Sequence, residues 1–242
     1  MANGVLLLHA FPLDASMWVP QVSAFGPGVA VVAPSLPGFG GEPPAGDVMT
    51  MAAAADHAAN AAREAGITSA MVCGLSMGGY VALEVWRRHR DLVAGLVLAN
   101  TRGDGDDDAA KDRRHQLATR LRAEGNGFMV QSPPPLLSEA AHPARWRLVR
   151  NIIAAQPAES IAAAALGMAA RHNFVPELGS IDVPALVMSS SADTLIPPDI
   201  TRELADGIPG ARYVLIEGAG HLSNLEAAPL FNAQLTEHWQ SL

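Results

Sequence analysis

Ala70-Met71-Val72-Cys73-Gly74-Leu75-Ser76-Met77-Gly78-Gly79-Tyr80 decides how this chain of 242 residues is read. Its first four residues are short and apolar, as in a buried strand, and Met77 to Arg88 reads as a helix. Between them, Gly74-Leu75-Ser76-Met77-Gly78 fits G-x-S-x-G. That pattern demands a strand before it and a helix after it, because the serine must sit on a sharp turn above a sheet. Small residues flank Ser76 because such a turn leaves no room for side chains. The helix that follows aims its positive N-terminus at the same place. A glycine-rich turn with a capping serine is the competing reading. Ser76 is the candidate nucleophile.

Outward from this motif, short runs rich in Val and Leu recur at Val5 to Leu8, Ala30 to Ala33, Leu96 to Ala99, Ala185 to Ser189 and Tyr213 to Ile216. Runs of this kind, buried on both faces, predict a parallel sheet. Helices are predicted over Met49 to Glu64, capped by Thr50 or Asp47 and ended by Gly66, and over Pro229 to Gln240. Strand–helix alternation makes the fold class α/β, doubly wound. The alternation breaks between Arg102 and Leu178, where no strand-like run occurs. A helical cap is therefore expected after the fourth strand, with Pro133 to Pro135 as a stiff link between its helices. The predicted division is a core of residues 1–101 and 179–242 and a cap of residues 102–178.

Charge separates the two parts. The chain carries −8 in all, with the cap segment near +1 and the remainder near −9. An anionic substrate would be helped by such a cap; solvated helix faces carrying Arg113, Arg114, Arg120, Arg122, Arg145, Arg147 and Arg150 are the plainer reading. No Lys/Arg-rich run points to nucleic acid as a partner. No apolar run is long enough to span a bilayer. The start, Met1 to Leu8, lacks the basic region of a signal peptide. Cys73 is the only cysteine, so no intrachain disulfide forms. A cytoplasmic location is expected.

A serine hydroxyl needs a base. Of eight histidines, His221 lies on the glycine-rich run Gly218-Ala219-Gly220-His221-Leu222-Ser223-Asn224-Leu225-Glu226, after the last strand. The base needs a carboxylate to fix its tautomer and stabilise its charged form. Asp193 follows the fifth strand and completes the order Ser, Asp, His; Asp199 is the fallback, with capping the next helix as its plainer role. Negative charge developing on a substrate oxygen needs fixed donors. The backbone N–H of Met77 and of Phe11, in the loop His9-Ala10-Phe11-Pro12, are the candidates. Phe11, Phe39, Met77, Met129 and Leu136 are candidates to line a substrate pocket.

These landmarks together resemble the α/β-hydrolase family over nearly the whole chain: the H-x-F-P loop at His9 to Pro12, the P-x-L-P-G-F-G loop at Pro34 to Gly40, the Ser76 turn, and the Asp193 and His221 loops. Gly74 to Tyr80 and Leu98-Ala99-Asn100-Thr101 look most like small carboxylesterases and enol-lactone hydrolases. The resemblance implies acyl transfer from a small-molecule ester or lactone, through a Ser76-His221-Asp193 triad and without metal or organic cofactor. Thioester hydrolysis, carbon–carbon bond cleavage, peracid formation, a lyase or cyclase step, or a receptor that keeps the triad are the alternatives. Epoxide and carbon–halogen chemistry in the family use aspartate at the Ser76 position, so serine argues against both. The chain departs from the family pattern at three points. Its first strand matches the family's third, which predicts about six strands, mostly or wholly parallel, without the usual N-terminal hairpin. Ala10 stands for a glycine, and Ser35 for an acidic residue.

Overall fold

A computed structural model describes residues 2–242. Six strands form one sheet in the order β2-β1-β3-β4-β5-β6, every neighbouring pair parallel. They are β1 (Gly4–Leu8), β2 (Ala30–Val32), β3 (Ala70–Leu75), β4 (Val93–Ala99), β5 (Ala185–Ser190) and β6 (Arg212–Ile216). A wholly parallel sheet needs a crossover between each pair of strands, and the helical segments supply these. The helices are α1 (Val19–Val22), α2 (Met51–Glu64), α3 (Met77–Arg88), α4 (Asp108–Glu124), α5 (Gly127–Gln131), α6 (Pro143–Ala155), α7 (Ala158–Ala169), α8 (Pro198–Gly207), α9 (Ser223–Glu226) and α10 (Ala228–Gln240).

Burial follows place in the sheet. Every residue of β1, β3 and β5 is buried, as the uninterrupted apolar runs require. β2 and β6 are half-exposed instead. As the two edge strands, they have a neighbour on one side only. Thr50, rather than Asp47, caps α2: its Oγ1 accepts the Ala53 N–H at 3.1 Å. α3 is nearly all buried, which suits a helix covered by the sheet on one side and α2 on the other.

The strand order places the site. From β1 the chain steps outward to β2, returns past β1 to β3, and then proceeds the other way through β4 to β6. The loops after β1 and β3 therefore diverge, and a crevice opens between them at the carboxyl edge of the sheet. The Phe11 loop and the Ser76 turn are those two loops. Between β4 and β5 the chain forms α4 to α7, a helical cap in which α4 packs on α7. Among the described residues no single helix is long and apolar enough to cross a membrane.

Candidate active site

Ser76 sits where β3 turns into α3, with φ 57° and ψ −117°. A positive φ is strained for a residue with a side chain and persists only when its surroundings enforce it. The surroundings do so here. The Ser76 N–H donates to Ala99 O at 2.9 Å, and the Ser76 carbonyl accepts from Thr101 Oγ1 and Gly79 N, both at 2.8 Å. The two glycines of the motif are required by close approach. A Cβ on Gly74 would lie 2.0 Å from Gly78 O, and one on Gly78 would lie 2.0 Å from Leu8 O. Met77 opens α3, so its N–H has no acceptor within the helix.

The Phe11 loop is held from beneath by His9, which is fully buried. His9 Nε2 accepts the Leu36 N–H at 2.9 Å, so its proton lies on Nδ1 and is donated to Ala10 O at 3.1 Å. Burial lowers the His9 pKa to about 4, against smaller upward contributions from that bond and from Asp14. The ring is thus a neutral strut between the Phe11 loop and the Pro34 to Gly40 loop.

His221 and Asp193 meet in the interior. His221 Nδ1 lies 2.8 Å from Asp193 Oδ2, with the side chains 2% and 0% exposed. Asp193 Oδ2 also accepts from Asn100 Nδ2 at 2.9 Å, and Oδ1 accepts the N–H groups of Leu195 and Ile196 at 2.9 and 3.0 Å. Burial by itself would raise the Asp193 pKa. The hydrogen bond and charge of His221, with the bonds from Ile196 and Asn100, outweigh burial and hold it below the usual carboxylate range. The carboxylate therefore stays ionised beside the imidazole, whose Nε2 remains for other chemistry. Asp199 is exposed in the first turn of α8 and takes no part in this cluster.

Ser76, His221 and Phe11 line one cavity of about 660 Å³. Met129 and Leu136 line it from the cap. Phe39 does not. Its ring is fully buried, edge-on to His9 at 5.3 Å between centroids, so it supports the loops rather than meeting a ligand. The Met77 side chain is likewise buried and outside the lining. Cys73 is no rival nucleophile, since it is buried in β3 and burial pushes its thiol pKa up. Among the described residues no group of three or more His, Cys, Asp or Glu side chains is placed to hold a metal ion.

Two residues at the site were not singled out by sequence. Asn100, at φ 45° after β4, donates to Asp193 and to Ser190 Oγ at 3.0 Å and accepts from Ser223 Oγ at 2.7 Å. It ties the Asp193 loop to the His221 loop. Glu226 accepts the N–H groups of Gly220 and Ser138, both at 3.0 Å, and the Ser138 hydroxyl. With the Leu222 N–H donating to Leu136 O at 2.8 Å, it fastens the cap segment Leu136 to Ser138 to the His221 loop. Each lies inside a stretch that carries the family resemblance or the base, Leu98 to Thr101 and Gly218 to Glu226. Position after a strand was the signal for Asn100, and a carboxylate five residues past His221 the signal for Glu226.

Known proteins share this arrangement of sheet and loops. The family model described as Alpha/beta hydrolase family matches residues 5–234. A malate-bound structure of a thermophilic esterase from Thermogutta terrifontis is 36% identical, with a TM-score of 0.94 over 100% of this chain and 92% of that one. The enol-lactonase from Burkholderia xenovorans LB400 is 29% identical, with a TM-score of 0.89 over 99% of this chain and 92% of that one. A pimeloyl-[acyl-carrier protein] methyl ester esterase from Aromatoleum aromaticum is 30% identical over 231 residues, 90% of either chain. By sequence match, sheet order and strained serine turn alike, the chain belongs to the alpha/beta hydrolase family.

Proposed function

We propose that this protein hydrolyses a small carboxylic ester or lactone through an acyl-Ser76 intermediate. One observation carries the reading: the buried His221–Asp193 pair, bonded at 2.8 Å, belongs to a histidine that faces the same cavity as Ser76. In this scheme Ser76 Oγ attacks the carbonyl carbon while its proton passes to His221 Nε2. The N–H groups of Met77 and Phe11 receive the negative charge on the carbonyl oxygen. The bond to the leaving oxygen then breaks, and His221 returns the proton to it. Water, deprotonated by His221, attacks the acyl carbon and frees Ser76. Asp193 stays ionised throughout and stabilises the charged imidazole. The scheme needs no cofactor.

Similarity to an esterase and an enol-lactonase over nearly the whole chain supports esters and lactones as the substrate class. A panel of p-nitrophenyl esters of graded chain length, with lactones and thioesters alongside, tests the proposal. Esters or lactones should turn over with an acyl-enzyme burst, and Ser76→Ala should lose that turnover. Absence of turnover on every ester and lactone, or equal turnover by Ser76→Ala, would overturn the proposal.

A further inference from the structure

The lining of the cavity that Ser76 shares is unusual for a protein with net charge −8. Three arginines line it, Arg102, Arg114 and Arg120, with a single acidic residue, Asp106. Their partners differ. Arg102 is held at Nε and a terminal nitrogen by both oxygens of Asp104, so its charge is matched within the wall. Asp106 is shared: Arg114 Nε reaches one of its oxygens at 3.2 Å, and Arg171, 2% exposed, holds the other. Two cations thus share one anion, and the cluster keeps a net positive charge. Arg120 lies over the Phe128 ring, 3.8 Å from its centroid, and uses Nε on Glu124 at 2.9 Å. In Arg114 and Arg120 alike, only Nε takes part in these bonds. The two terminal nitrogens of each remain for another acceptor. A stacked or ion-paired guanidinium with a free fork suits a planar carboxylate, which it binds by two parallel hydrogen bonds.

We infer that the substrate carries a carboxylate away from its scissile bond, and that Arg114 and Arg120 receive it. The inference rests on the ester or lactone hydrolysis proposed above and narrows its substrate class. The carboxylate can belong to the acyl chain or to the leaving alcohol; both present the same anion to the wall. Binding it neutralises the surplus charge around Asp106. The half-exposed Arg114 and exposed Arg120 also allow its entry from solvent.

Paired esters test this on the intact protein. The acyl arm compares mono-p-nitrophenyl adipate with p-nitrophenyl hexanoate; the alcohol arm compares 3-carboxyphenyl hexanoate with 3-acetylphenyl hexanoate. In at least one arm the carboxylated ester should be preferred by about tenfold in kcat/KM, the size expected of a charge-assisted bidentate contact. The arm that shows it identifies which side of the ester bears the anion. Arg120→Gln and Arg114→Gln should each reduce that ratio severalfold, chiefly through KM of the carboxylated ester. Arg113→Gln removes the same charge from the exposed surface of α4, outside the cavity lining, and should leave the ratio as it was. Should Arg114→Gln fail to fold through loss of its Asp106 contact, Arg120→Gln decides alone. Hydrolysis of the neutral esters without preference in either arm, or a ratio that falls equally in Arg113→Gln, overturns this inference and leaves the hydrolase reading standing. No turnover of any of the four esters overturns this inference, and if no lactone of the panel above turns over either, the hydrolase reading falls with it.

Discussion

The two walls of the cavity are built by opposite rules. On the sheet side, His221, Asp193 and Asn100 are buried, and Asp193 has an N–H partner for every bonding position. Strained backbone at Ser76 and Asn100 is locked by hydrogen bonds to neighbouring loops. On the cap side, Arg114, Leu117 and Phe128 are half-buried and Arg120 exposed, and Arg114 and Arg120 hold their partners by one nitrogen each. Preorganised groups stabilise a transition state without rearrangement at the moment of reaction. A looser wall can fit its side chains to a ligand. Under the proposed mechanism the chemistry falls to the sheet edge and the choice of substrate to the cap, with Glu226 fastening the Leu136 to Ser138 segment to the His221 loop.

Substitutions on the two walls should therefore differ in size and kind. Asp193→Asn carries the largest effect. It keeps the shape but favours the wrong imidazole tautomer, and kcat should fall by on the order of 10⁴; a fall below tenfold would break the assignment of chemistry to this wall. Next comes acid sensitivity from His9. Its folded pKa of about 4 lies below the ordinary value of 6.5. Between these values the unfolded chain binds the proton and the folded protein does not, so stability is full above pH 6.5 and is lost as pH falls. By pH 4 the loss should reach about 3 kcal/mol. Urea unfolding at several pH values measures it, and in His9→Asn that component should vanish. Asn100→Ala should cost about 1–3 kcal/mol in stability, because Asp193 and Ser223 lose a buried partner. It should also lower kcat by about tenfold while KM changes little; a rise in KM alone would assign Asn100 to binding. Leu117→Ala, on the cap wall, has the smallest expected effect, on the order of 1 kcal/mol in stability for a half-buried side chain. Its signature is a shift of chain-length preference toward longer acyl groups, read from the p-nitrophenyl ester series.

The same division decides what could be read from sequence. The sheet and its turns were legible because each depends on residues adjacent in the chain. An apolar run, two glycines around a serine, and a glycine-rich loop after the last strand are local signals, and a parallel sheet brings the ends of its strands together whatever lies between. His221 and Asp193 could thus be named before their contact was known. The edge strands β2 and β6 are half-exposed although their apolar runs resemble those of the buried strands, because an apolar run does not state its rank in the sheet. Phe39 stood in a loop motif beside the crevice, and only packing shows that its ring turns inward against His9. The arginine wall was harder still. Arg114 and Arg120 carry the pattern of any solvated helix face, like Arg113 beside them. What separates them is the docking of α4 on α7 and the nearness of Phe128 and Asp106, and neither leaves a mark at short range.

If the strained turn presents Ser76 as an activated nucleophile, as proposed, the residue should react with a serine-directed phosphonylating reagent. Labelling with a fluorophosphonate probe, followed by peptide mass spectrometry, tests it most directly. One label per chain is expected, on Ser76, formed by folded protein and abolished in Ser76→Ala. Folded protein that takes up no label, or that takes it up at another residue in both forms, would contradict it.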